Sequence, residues 1–242
     1  MHIILNGKPD TCEETSLSAL KAARGSGREI TIVNGFATSE DLSLQEGDEI
    51  YFIPKDRLPP KDALEAMMCS RHTPRVHHKV RAGHVAICGL GGLGSNAAIY
   101  LARTGVGHLH LLDFDTVDAS NLNRQSYMIR DLGAYKTDAL ERQIRDINPF
   151  IDVRTDCVRL TEENAPRLLQ DDWIICEAFD NPDAKTMLVH TILEQCPDKY
   201  IVSASGMAGY GDSNDIQTKK ITSHFYICGD QARNARPGRG LM

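Results

Sequence analysis

The chain has 242 residues, 41% of them hydrophobic and 25% charged, which is enough apolar material for one sizeable core beside a small second domain and excludes general disorder. With 27 Lys and Arg against 33 Asp and Glu, the net charge is -6, so the composition gives no electrostatic footprint for a nucleic-acid backbone or an anionic membrane. No run approaches the ~18 apolar residues of a membrane span, and the start, Met1-His2-Ile3-Ile4-Leu5-Asn6-Gly7, lacks the basic and apolar stretches of a signal peptide.

Residues 2–5 read as a short strand, and Asn6-Gly7 is a two-residue hairpin signal. Leu17, Leu20 and Ala23 recur at helical spacing between Ser16 and Arg24, and Gly25 ends the run. Ile30-Thr31-Ile32-Val33 is a β-branched strand that stops at a second Asn34-Gly35, and Glu49 to Ile53 forms another, closed by Pro54. A hairpin, one helix and further strands within residues 1–55 is the order of a β-grasp domain. Arg57-Leu58-Pro59-Pro60 reads as an extended linker. A helix is expected over 62–68, and the segment 56–80 as a whole reads as linker and helix.

From His84 the pattern changes to a second domain, 81–242, of alternating strands and helices. Val85 to Cys88 is a continuous apolar run, as for a strand buried on both faces. A glycine-rich turn, a helix through Ala97, Leu101 and Ala102, and a strand over 109–112 follow. A helix is expected from about 134 to 147, a strand over 151–157, a helix from Thr161 to Leu169 capped by Thr161, a buried strand over 173–176, a helix over 182–195 and a strand over 200–203. This βαβ alternation predicts an α/β fold: a Rossmann-like, doubly wound, mostly parallel sheet with helices on both faces.

Gly89-Leu90-Gly91-Gly92-Leu93-Gly94 lies between a strand and a helix and satisfies G-x-G-x-x-G, so Gly89, Gly91, Gly92 and Gly94 allow the backbone to approach a phosphate at the helix N-terminus. Asp113, at the end of the next strand, is placed to accept a hydrogen bond from a ribose hydroxyl. The glycine pattern alone does not separate NAD from ATP.

The segment Asp113-Phe114-Asp115-Thr116-Val117, continuing into Ser120-Asn121-Leu122-Asn123-Arg124-Gln125, together with GLGGLGS at 89–95, resembles the adenylyltransferase family that includes ThiF, MoeB, HesA and the ubiquitin-activating enzymes. The resemblance covers roughly residues 71–215. It implies that Asp113 holds the ribose of ATP, that Asn121, Arg124 and Lys136 reach the phosphates, and that Asp180 positions magnesium. It further implies a homodimer in which an arginine before the first Rossmann strand, Arg71 in preference to Arg75, reaches the partner's ATP. The residues themselves support part of this. Lys136 falls in the first turn of its expected helix, where the dipole disfavours a cation, and its neighbours Ala139 and Leu140 offer no helical ion pair. Asp180 follows a strand at the edge where open α/β sheets bind ligands, while Asn181-Pro182 already supplies a cap and a first-turn proline.

The first 55 residues resemble a ThiS-type sulfur carrier through Leu5-Asn6-Gly7, Val33-Asn34-Gly35 and Glu46 to Ile50. Such carriers end in a reactive Gly-Gly, whereas this segment runs on through Ile53-Pro54-Lys55-Asp56. The implied substrate is therefore the carboxylate of a separate Gly-Gly-ended carrier protein, adenylylated by ATP, most simply for thiamine thiazole synthesis. The seven cysteines, at 12, 69, 88, 157, 176, 196 and 228, form no C-x-x-C pair, so no zinc site and no disulfide framework is expected, and a reducing cytoplasm fits. Cys228 reads as a buried apolar thiol, and His77-His78 as surface histidines. The chain stops at Arg239-Gly240-Leu241-Met242 where similar proteins continue into an apolar helix, which points to a shortened C-terminus. A nicotinamide-dependent oxidoreductase and a non-catalytic scaffold blocked by its carrier-like domain remain the alternatives. A tRNA-acting relative ranks below them, since no basic tract is visible.

Overall fold

The computed structural model describes residues 1–25, 27, 29–55, 61, 64, 74–205 and 216–230. The chain divides into two compact units, Met1–Lys79 and Val80–Met242.

In the first unit, β1 (His2–Leu5) and β2 (Lys8–Thr11) form a hairpin, followed by α1 (Leu17–Arg24), a second hairpin of β3 (Glu29–Val33) and β4 (Phe36–Thr38), and β5 (Glu49–Pro54). Both hairpin turns place an Asn-Gly pair at positive φ, 52° and 80° for Asn6 and Gly7 and 51° and 85° for Asn34 and Gly35. That geometry matches the strand twist and suits few other residues. The sheet order is β2-β1-β5-β3-β4, with β1 and β5 parallel in the centre. Leu17 and Leu20 of α1 pack with Ile3, Val33, Ile50 and Phe52 on one face. The Ser16 side chain caps the helix by accepting from the amide of Ala19. This is the β-grasp arrangement. The expected helix over 62–68, apart from Leu64, and Arg71 lie outside the described residues.

A short helix absent from the sequence expectations, α2 (Pro74–Arg81), precedes the second sheet. Its helical spacing turns His77 inward to 3% exposure, so His77 is buried where a surface position was expected, whereas His78 is exposed. The second unit then runs β6 (His84–Cys88), α3 (Gly92–Thr104), β7 (His108–Leu112), α4 (Lys136–Ile147), β8 (Asp152–Asp156), α5 (Ala165–Leu168), β9 (Ile174–Glu177), α6 (Pro182–Gln195), β10 (Tyr200–Ala204), β11 (Gln217–Lys220) and β12 (Phe225–Gly229). The sheet order is β11-β12-β10-β9-β6-β7-β8, parallel except for β11. Ile87, Leu109, Leu111, Ala98, Ala102, Leu140 and Ile144 form one core on the α3–α4 face. Ala86, Cys88, Leu112, Ile175, Leu188, Ile192 and Ile201 form the other under α5 and α6.

Three local expectations change. Helix α5 begins at Ala165 rather than Thr161 because Pro166, which has no N–H, is tolerated only in a first turn. Thr161 and Asn164 instead exchange hydrogen bonds around the preceding turn. Trp173 stands just ahead of β9 and is 53% exposed rather than part of a buried strand. The hairpin of β11 and β12 was not anticipated: β11 reads Gln-Thr-Lys-Lys and is wholly exposed, an edge strand kept from further pairing by its lysines. Among the described residues no helix is long and apolar enough to cross a membrane.

Beneath the sheet lies a polar knot. The ring of His110, 2% exposed, places Nδ1 2.7 Å from Asp172 Oδ2 and Nε2 2.8 Å from Asp156 Oδ2. Removing the ring leaves the buried Asp172 carboxylate without its partner, a loss of roughly 3 kcal/mol or more. His110→Ala should therefore lower the unfolding free energy in urea by about 3 kcal/mol, against about 0.5 kcal/mol or less for His190→Ala in the exposed His190–Glu194 pair. Equal, small losses in both variants would contradict the role given to His110.

Candidate functional site

The carboxyl ends of β9, β6 and β7 lie side by side, with Cys88 in register with both Leu112 and Glu177. The chain order reverses between β6 and β9, and this is where open α/β sheets leave a crevice for ligands. The amide of Gly89 donates to the carbonyl of Leu112, and that of Ala178 to the carbonyl of Cys88, so three loops are stitched together at this edge.

The glycine loop fits against its neighbours with no space for side chains at two positions. Gly89 has φ of +92°, and a Cβ there would lie 2.9 Å from Phe179 Cδ1. At Gly94 a Cβ would stand 1.8 Å from the carbonyl oxygen of Gly89, so only glycine lets α3 start so close to β6. Gly91 differs: nothing lies within 4 Å of its would-be Cβ, and as the N-cap of α3 it brings no side-chain cap. The first turn of this 13-residue helix thus has no side-chain cap, and uncapped amides at a helix start are suited to an anion.

Asp113, 9% exposed, ties β7 to this loop. Its Oδ2 accepts from the Leu90 amide at 2.6 Å and its Oδ1 from the Asp115 amide at 2.8 Å. Each oxygen keeps a second lone pair, so the carboxylate can still accept from a hydroxyl. The Tyr127 hydroxyl donates to the Leu90 carbonyl at 2.8 Å from the other side. Burial, reinforced by Asp113, Asp131 and Asp115, pushes the Tyr127 pKa far above its usual value, so the phenol remains a donor.

After β7 the backbone pairs with the segment ahead of α4: Val117 donates to Ala134, Gly133 to Val117 and Lys136 to Asp115, and Thr116 bridges Tyr135. This pairing brings the Lys136 ammonium to 2.9 Å from Asp115 Oδ2. Lys136 opens α4 and is 6% exposed. Its sequence neighbours offer no partner, but the structure supplies one from outside the helix. The dipole penalty inferred at Lys136 is therefore already offset by Asp115.

Arg124 is in a different electrostatic state. Its side-chain stem runs over the glycine loop, 3.7 Å from the would-be Cβ of Gly92. One terminal nitrogen donates to the Ser120 carbonyl at 3.1 Å and to Asn123 Oδ1 at 2.9 Å. No carboxylate among the described residues pairs with it. Asn96 holds this segment down by donating to the carbonyls of Gly92 and Arg124, while the Ser126 hydroxyl donates to Asn96 Oδ1. Asn121 is partly committed: its Oδ1 accepts from the Asp118 amide in a capping box, which leaves its NH₂ group to donate elsewhere.

Asp180 follows β9 on the far side of the glycine loop. It is exposed and accepts no hydrogen bond from the described residues. Asn181 takes the capping role, its Oδ1 accepting from the amides of Asp183 at 2.9 Å and Ala184 at 3.0 Å. Glycines 89 to 94, Asp113, Asn121, Arg124, Lys136 and Asp180 therefore all follow strand ends at one edge of the sheet. Arg75 is exposed on α2. Cys228 is half-buried, 3.3 Å from Thr218 Oγ1. The sequence reading missed Asp115, Tyr127, Asn96 and the buried Glu177–Lys185 pair. Only Asp115, two residues past Asp113, carried a local signal.

A glycine loop between strand and helix at the crevice of a doubly wound sheet, in a chain whose first unit is a β-grasp, defines a Rossmann-like α/β protein with a fused ubiquitin-like domain. The ThiF family profile matches residues 65–238, and the chain belongs to that family. Residues 1–56 match the ThiS-like ubiquitin family. The adenylyltransferase and sulfurtransferase uba4 of Aspergillus fumigatus is 38% identical over 134 residues, 55% of this chain and 27% of that protein. Its namesake from Scheffersomyces stipitis is 36% identical over 134 residues, 55% of this chain and 30% of that protein. The chain thus spans less than a third of the length of these curated relatives. Among solved structures, TcdA (CsdL) superposes with a TM-score of 0.59 at 27% identity, over 63% of this chain and 62% of that one. The E. coli tRNA N6-threonylcarbamoyladenosine dehydratase TcdA in complex with AMP gives 0.61 at 25% identity, over 68% of each chain.

If Tyr127 braces the glycine loop as described, Tyr127→Phe leaves the buried Leu90 carbonyl short of its donor and should cost about 1–2 kcal/mol in chemical denaturation. An unchanged unfolding midpoint would contradict that role.

Proposed function

We propose that this chain is an ATP-dependent adenylyltransferase acting on the C-terminal carboxylate of a separate Gly-Gly-ended carrier protein. The observation that carries the reading is Arg124, whose side-chain stem lies over the glycine loop and whose guanidinium pairs with no carboxylate among the described residues. A cation so placed suits the triphosphate of ATP better than NAD, whose pyrophosphate carries less negative charge and whose nicotinamide ring is itself cationic.

In this reading the glycine loop and the start of α3 receive phosphate oxygens, Asp113 accepts from the ribose, and Asn121, Arg124 and Lys136 neutralise the triphosphate. Lys136 keeps part of its ammonium on Asp115, which holds it in place before the ligand arrives. The carrier's carboxylate oxygen bonds to the α-phosphorus as the bond from that phosphorus to the bridging oxygen breaks. Pyrophosphate leaves with the electron pair, and an acyl-adenylate remains. The nucleophile is already ionised, so no general base is needed, and the chain's task is charge neutralisation and in-line alignment. In a homodimer, the partner subunit's Arg71 adds a further cation.

The donor set fits magnesium: Asp180 offers an unencumbered hard oxygen ligand. The described residues hold no cluster of three or more candidate metal ligands, and magnesium is commonly bound through one or two carboxylates together with substrate phosphates. When bound through Asp180, the ion would add positive charge at the phosphates.

The ThiS-like unit runs through Pro54 into Lys55 without a Gly-Gly end and is assigned a docking or regulatory role rather than that of substrate. Sulfur transfer from the adenylate, for thiamine thiazole synthesis, is the finer reading that the ThiS-like domain supports. A tRNA-acting enzyme is the second reading, favoured by the similarity to TcdA and opposed by the net charge of -6.

The test is ATP–pyrophosphate exchange with candidate carriers ending in Gly-Gly. Exchange should depend on the carrier, and Asp180→Ala should retain measurable ATP binding while exchange falls by about 100-fold or more. Undiminished exchange would remove Asp180 from the mechanism, and turnover with tRNA but no carrier would favour the second reading.

A further inference from the structure

Glu177, the last residue of β9, is fully buried as a side chain, yet it is the acceptor for four hydrogen bonds. Lys185 Nζ donates to Oε1 at 2.8 Å and to Oε2 at 2.6 Å. The hydroxyl of Ser203, in register on β10, donates to Oε2, and the amide of Phe179 donates to Oε1 at 2.8 Å. Burying such a pair is not a stability device, because apolar residues of similar shape do as well or better in most interiors. What the pair does locally is specific. The bond from the Phe179 amide closes a turn over 177–179, and Gly89 bounds that turn from the other side, its would-be Cβ meeting Phe179 at 2.9 Å and the Ala178 carbonyl at 3.0 Å. Immediately beyond, Asn181 fixes the start of α6, and Lys185 one turn later ties that helix back to Glu177. Asp180 stands between these two anchored points. It accepts no hydrogen bond of its own among the described residues, so only the backbone aims its carboxylate.

We propose that Glu177, Lys185 and Ser203 are positioning residues that hold the 177–181 turn so that Asp180 presents its carboxylate to a divalent cation carried on a nucleotide's phosphates. This rests on the nucleotide reading of the pocket given above. The buried network acts through the Phe179 amide and the first turn of α6, without itself touching nucleotide or metal.

Two charge-free double variants separate positioning from stability. Glu177→Gln with Lys185→Met keeps a carbonyl oxygen for the Phe179 amide, whereas Glu177→Met with Lys185→Met fills the same volume and offers none. ATP is titrated into the full chain with and without magnesium, and thermal midpoints are recorded alongside. Wild type should bind ATP more tightly with magnesium, and Asp180→Asn should abolish that tightening. Metal-free affinity should be the same in wild type and the two double variants. The Gln variant should keep most of the magnesium effect, and the Met variant should lose it by about tenfold, the loss typical when the support of a metal ligand is removed. A Met variant that keeps the full tightening overturns the positioning role and leaves the nucleotide reading standing. Wild type that binds no ATP at all overturns that reading and the positioning role with it.

Discussion

The bond from the Leu90 amide to the Asp113 carboxylate joins the two strands on which the pocket is built. Apart from Leu90, whose side chain is buried in the core, the glycine loop has little to anchor it, so its shape is set by what its backbone can reach. Here a buried carboxylate at 2.6 Å holds one side and a permanently protonated phenol holds the other. With the loop so fixed, α3 starts at Gly91 without a side-chain cap, the stem of Arg124 lies across Gly92, and the end of β9 leads into Phe179 and Asp180. The negative charge of Asp113 is met by backbone donors rather than by a cation.

Lys136 and Arg124 divide the electrostatic task unequally. Lys136 is buried and already paired, a charge held in place at the cost of part of its strength. Arg124 is exposed and paired with no acid among the described residues, held only by bonds to the Ser120 carbonyl and Asn123 Oδ1. The first resists salt and the second does not, because exposed charges are screened over about 10 Å at 0.1 M ionic strength whereas buried ones are screened far less. Under the proposed reading, a site built this way would recognise charge density more than nucleobase identity.

Much of the fold was legible where a feature is local. The Asn6-Gly7 and Asn34-Gly35 turns need positive φ at both positions, and few other pairs supply it. The strands at 85–88, 109–112 and 200–203 appear as apolar runs, and the glycine loop is a spacing pattern within six residues. The supporting contacts were not legible because they join distant positions: Asp115 and Lys136 are 21 residues apart, and Leu90 and Tyr127 are 37 apart. Nothing in the neighbours of Lys136 signals its partner, which arrives through backbone pairing of two loops. Glu177 and Lys185 lie only eight residues apart, yet a strand end and a helix start separate them, so neither helical nor strand periodicity links them. The late start of α5 shows the opposite lesson, since Pro166 stood in the sequence and its missing N–H sets where the helix can begin.

The central claim is that the sheet edge accommodates a triphosphate through cations rather than a dinucleotide through shape. Equilibrium titration of the chain with ATP and with NAD, each at low and high salt, tests it most directly. The account predicts ATP binding at least about tenfold tighter than NAD, with the preference shrinking as salt screens Arg124. NAD binding that equals or exceeds ATP binding, indifferent to salt, would contradict it.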